Sequence, residues 1–127
     1  MIKVIELSNP EVSNLVDRLC SQEVSLNTAK FLSSLRSRIS DSLTTYDLSR
    51  IELLKQFGKK REDGSLDLID GVVQFEDDNG IVNFTKEVEQ VANINFEKLS
   101  IRSSEIASLK LSANDFTLFS LMVDIVD

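Results

Sequence analysis

Histidine and tryptophan are absent from this chain, cysteine, proline and tyrosine occur once each, and glycine occurs four times. Without histidine there is no imidazole for base catalysis near neutral pH, and the commonest metal ligand is missing. The single cysteine, Cys20, excludes an internal disulfide and a thiolate metal cluster. With no histidine to activate it, Cys20 reads as a buried, inert thiol. The few glycines do not assemble into a phosphate-cradling or dinucleotide-binding loop. No apolar run approaches the roughly 20 residues that a membrane-spanning helix needs. Positive charge is also scarce. Fourteen Lys and Arg stand against 21 Asp and Glu, giving a net charge of −7 and a pI near 4.6. That balance argues against nonspecific binding to nucleic acid or to an anionic membrane. The opening MIKVIELSNP carries Glu6 within its apolar stretch and lacks a signal-peptide layout. An intracellular protein, or one assembled inside a cell, is expected.

What is present is dominated by one stretch. From Ser25 to Phe57 there is neither Gly nor Pro, and Leu32, Leu35, Ile39, Leu43, Tyr46, Leu53 and Phe57 fall mostly three or four apart. That spacing predicts one α-helix with a single apolar face. Gly58 supplies a C-cap, and Lys55, Lys59, Lys60 and Arg61 suit the negative end of the helix dipole. At 1.5 Å per residue the helix would be about 50 Å long, more than a compact domain of this size is wide. Its serines and threonines lower its intrinsic propensity, so it needs packing partners, and they also let another helix approach closely.

The flanking segments are shorter. Residues 2–7, IKVIEL, read as a strand. The next segment reads as a helix capped by Ser8 or Asn9, with Pro10 in its first turn and Val12, Leu15, Val16 and Leu19 as its stripe. After Gly58 the chain is punctuated by Asp63-Gly64, Asp70-Gly71 and Asn79-Gly80, with β-like LDLI and VVQF between them. Residues 62–82 are expected to form a protruding loop or small hairpin, with Asn79-Gly80 as a hairpin turn. A return helix over 83–92 is capped by Asn83, a strand covers 93–101, and RSSEIASLK makes a short helical turn. A final helix opens with Ser112 and Asp115 in capping-box spacing. Leu35, Ile39, Val88, Phe96, Phe116 and Phe119 are the expected core.

The expected fold is α+β in a single domain over 1–127: a long helical hairpin packed on a small antiparallel β base with a C-terminal helix. Residues 25–92 would form the hairpin with its turn-rich tip at 62–82. Residues 1–24 and 93–127 would form the base, with 2–7 pairing 93–101.

Candidate chemistry is sparse. Glu62, Asp63, Asp67 and Asp70 beside lysines suit a solvated loop better than an acid–base pair. Asp77, Asp78 and Asn79 lack the alternating ligands and distal Glu of a calcium loop. No catalytic, cofactor-binding or metal-binding residue is assigned, and no enzymatic activity is expected. The turn-rich insert is large for a mere connection, and it mixes Val72, Val73 and Phe75 with acidic residues, as an interface with a polar rim does. Phe57, Lys59, Lys60, Val72, Val73 and Phe75 are therefore the candidate partner-binding residues. The competing account is that VVQF and IVNF zip into a hairpin covering one side of the helices.

Three segments carry a resemblance: the Ser/Thr-containing long helix ending in LLKQFGKKREDGSL, the return segment FTKEVEQVANINFEKLSI, and the closing SANDFTLFSLMVDIVD. Over roughly residues 25–127 the chain resembles a family of small bacteriophage proteins of unassigned function. It departs from them in a longer β-like insert over 65–82. The resemblance implies a phage origin, a place in the virion or the host cytoplasm, and a role in virion assembly or host interaction. The expected partner is a phage structural protein or a host protein, with a second copy of the chain as a further option. The expected role is a small virion structural or assembly component. The alternative is an inhibitor or regulator docked on a host protein, whose basic surface an acidic protein would occlude.

Overall fold

A computed structural model describes residues 2–127. The fold is α+β. It begins with a 3₁₀ helix, Val4–Ser8, followed by α1, Pro10–Cys20, and α2, Leu26–Phe57. A short antiparallel hairpin comes next, β1 Leu68–Ile69 and β2 Val72–Val73, then α3, Asp78–Ala92. The chain closes with β3 Leu99–Arg102, α4 Ser103–Ile106, α5 Ala113–Met122 and β4 Val123–Val126. It divides into two compact units, residues 1–43 with 95–127, and residues 44–94. The helix α2 runs unbroken through the boundary.

The first unit holds a continuous apolar core. From α1, Val12, Leu15, Val16 and Leu19 are all buried, as the stripe predicted. Asn9 caps this helix, its side chain accepting the Glu11 amide at 3.0 Å. The proximal part of α2 adds Leu32, Leu35 and Ile39, and Phe96, Ile101, Leu109, Phe119, Met122 and Val123 complete the cluster. Thr28 is fully buried and donates from its Oγ1 to the Glu105 carbonyl at 3.0 Å, so this buried polar side chain is satisfied. The Cys20 thiol is half-buried against this core and points at the Leu32 carbonyl, 3.9 Å away.

Residues 2–7 do not form a strand. The Glu6 carboxylate accepts the Lys3 amide at 3.0 Å, and the Glu6 amide bonds the Lys3 carbonyl at 2.9 Å, which tightens the segment into a 3₁₀ turn. That turn buries Ile2, Val4 and Leu7 and leaves Ile5 outside. The expected pairing with 93–101 shrinks to one antiparallel bridge, Lys3 with Asn95, reinforced by the Phe96 amide on the Ile2 carbonyl at 2.9 Å.

The sheet of this unit pairs β3 with β4 in parallel, Leu99 opposite Val123 through Arg102 opposite Val126. The final helix is thus shorter than expected. After Met122 the sequence VDIV alternates with period two, and its β-branched residues favour the extended state, with Val123 already at φ −133°. Phe116, expected in the core, is 48% exposed, whereas Phe119 is fully buried. The Ser112 capping box is formed, its hydroxyl accepting the Asp115 amide at 3.1 Å.

Candidate functional site

The second unit is built differently. It contains the distal half of α2, the tip and α3. Of the seventeen buried apolar side chains among the described residues, it contributes Ala92 alone. In place of a core it is held by short-range fits. Gly58 follows α2, its amide bonding the Leu54 carbonyl at 2.8 Å. It does not take the left-handed conformation of a usual C-cap glycine. Its role is close approach: a Cβ there would lie 2.6 Å from the Leu54 carbonyl oxygen and within 3 Å of the Leu66 and Val73 side chains.

Backbone bonds then weave the tip. The Lys59 amide donates to the Gln74 carbonyl at 2.8 Å, the Asp67 amide to Lys59 at 2.8 Å, and the Gln74 amide to Asp67 at 2.9 Å. The hairpin turns at Asp70 and Gly71, whose φ angles are 52° and 79°, the two positive values that a type I′ turn requires. At Asn79-Gly80 there is no hairpin. The Asp77 side chain accepts the Gly80 amide at 2.9 Å and caps α3, so IVNF is helical and α3 starts five residues before Asn83. The expected strand pair VVQF–IVNF is therefore replaced by a hairpin made within 68–73. At the other end of the tip, Arg61 is drawn to Asp67 at 3.6 Å and to the Leu68 carbonyl at 3.2 Å. The Asp63 carboxylate accepts the Ser65 hydroxyl at 2.6 Å and its amide at 3.0 Å, which holds the acid below the usual carboxylate range.

The six candidate contact residues fall into two groups. Phe57, Val73 and Phe75 are half-buried and serve the unit itself. Val73 lies over Gly58, and Phe75 packs on Phe84 with ring centroids 5.6 Å apart and beside Gly80. Lys59 and Lys60 are exposed, and Val72 is 61% exposed. Val72 stands directly across the ladder from Ile69, which is 57% exposed, so the two share one open face of the hairpin. Leu68, Ile81 and Val82 add further exposed apolar surface in this unit. Ile69 shares this open face and is not among the six candidate residues. Its signal was the Asp70-Gly71 pair, a two-residue turn that sets Ile69 opposite Val72. A groove of about 440 Å³ runs along Lys55, Lys60, Gly64, Ser65, Leu66 and Leu68, so the lysines border apolar surface here. Among the described residues no cluster of three His, Cys, Asp or Glu side chains could hold a metal ion, and no helix is long and apolar enough to cross a membrane.

No protein-family model, no curated protein and no solved structure matches this chain.

Proposed function

We propose that this protein is non-catalytic and works by protein–protein contact through its tip, as a small structural or assembly component of a bacteriophage virion. The observation that carries the reading is the open apolar face of the tip, Ile69 with Val72, on a unit that keeps almost none of its apolar side chains buried. Burying exposed apolar surface is the main favourable term in association, and a patch edged by charged residues suits an interface with a polar rim. The resemblance to small phage proteins supplies the biological setting. The concentration of acid in the same unit, eleven Asp and Glu against six Lys and Arg, also suits the alternative in which the partner is a basic host protein. Quantitative mass spectrometry of purified particles separates the two readings. Stoichiometric protein in the particle, lost when I69S/V72S replaces the native chain, supports the virion role. Absence from particles made with the native chain overturns it.

A further inference from the structure

The distal half of α2 presents a second surface, independent of the tip. All four buried residues of α2, Thr28, Leu32, Leu35 and Ile39, precede residue 40. From Thr44 onward the helix has one half-buried side, with Tyr46, Leu53 and Phe57, and one open side. At 100° per residue the open side carries Thr44, Asp47, Leu48, Ile51 and Lys55. Leu48 is 60% exposed and Ile51 39% exposed. An apolar pair one turn apart on an open helix face is the geometry that another helix covers.

The charges around that pair state which helix fits. On the open face Asp47 stands four residues before Ile51 and Lys55 four residues after it, minus then plus. The order inverts its sign about Ile51. An identical helix laid antiparallel with its own Ile51 at the crossing point sets Asp47 against Lys55 of the other copy, twice by symmetry. A parallel copy sets Asp47 and Lys55 each level with its like. Lys55 already touches Glu52 of its own helix at 3.6 Å, but both side chains are largely exposed, so that link competes only weakly. Thr44 is small enough to let the backbones approach. Two copies of an acidic protein repel at long range, and the two Asp47–Lys55 pairs are what make the contact attractive at close range.

We infer that this face seats a second copy of the chain, forming an antiparallel, two-fold symmetric and weak dimer centred on Ile51. The test is sedimentation equilibrium of the full chain at about 0.15 M salt up to about 1 mM protein. A reversible dimer is expected. The single reversals D47K and K55D each put like charges in contact twice and should weaken it by about tenfold. The double variant D47K/K55D restores opposite charges in reversed order and should return the native dissociation constant. L48S should weaken the dimer by about tenfold or more with little change in melting temperature, since Leu48 is 60% exposed. A monomer throughout this range overturns the inference and leaves the face to a partner of another kind. A dimer unaffected by the single reversals, or not rescued by the double one, overturns it equally. Neither result bears on the tip, because I69S/V72S is the variant that reports on it.

Discussion

The two units of this chain solve the problem of apolar surface in opposite ways. The unit of residues 1–43 and 95–127 buries its stripes in one cluster, with Leu15, Leu19, Leu35, Phe119 and Met122 at or near zero exposure. The unit of residues 44–94 has eight of the thirteen exposed large apolar side chains found among the described residues, although it is the shorter of the two. One helix, α2, belongs to both. Its proximal residues are core, and its distal residues are half-buried or open. The lesson is that helical periodicity alone does not tell a face that is buried within the chain from one that is left open to solvent. The buried core resides in the first unit and most of the exposed large apolar side chains in the second.

The largest expected effect tests the first half of that contrast. Phe119→Ala removes a fully buried ring and should cost about 3–5 kcal/mol, read as a large fall in melting temperature. An unchanged melting temperature would place the stabilising core elsewhere. The next effect is in the second unit. Gly58→Ala brings a methyl against the Leu54 carbonyl, which cannot swing aside as a side chain tip can, and should cost about 1–3 kcal/mol. Its signature is increased protease sensitivity of the tip while the near-native packing of the first unit persists. If the tip tolerates the methyl, the fit over Gly58 is not what holds it.

A third prediction concerns acid. The Asp115 carboxylate is held below its usual range, first by the Arg18 guanidinium that donates to it twice, at 2.9 and 3.0 Å, and further by the Ser112 cap. A depressed folded value means that the stabilisation is present above the ordinary carboxylate range near 4 and is lost as pH falls through the folded value. Asp115→Asn should flatten the acid limb of the stability profile. Asp63, also depressed but bonded only to Ser65 two residues away, should leave global stability unmoved on the same titration and alter only the tip. The smallest effect is expected from I69S/V72S, within about 0.5 kcal/mol of the native chain by denaturant titration, because both side chains are exposed. A larger loss would make this pair a structural contact and remove it from the interface.

Much of the first unit was legible because its signals were local and mutually consistent. Asn9-Pro10 opened α1, the 3–4 spacing marked Leu32, Leu35 and Ile39, and the Ser112–Asp115 capping box formed as spaced. The errors arose where two local chemistries competed. IKVIEL had the composition of a strand, but the Glu6 side chain offered its own backbone a bond that closed a 3₁₀ turn. Asn79-Gly80 looked like a hairpin turn, but Asp77, three residues before Gly80, made it the first turn of a helix. The end of α5 was overrun because VDIV reads as apolar on either period, and the parallel pairing with β3 decided it. Phe116 and Phe119 are three apart on one helix, and only packing across the chain determines which is covered. At the tip, the acidic and apolar mixture did not separate Val72, which is exposed, from Val73 and Phe75, which are half-buried, and the ladder partner of Val72 depended on a register that the sequence implied only through Asp70-Gly71.

Native-state hydrogen exchange along α2 tests the central contrast most directly. If the first unit carries the stability, amides of residues 30–43 exchange only through global unfolding. Amides of residues 44–57, in the same continuous helix, exchange through a smaller opening that they share with α3. A step in protection is expected near Leu43, with opening free energies beyond it clearly below the global value. Uniform protection from Lys30 to Phe57 would contradict it, and would make the distal helix part of the core rather than a surface held out for a partner.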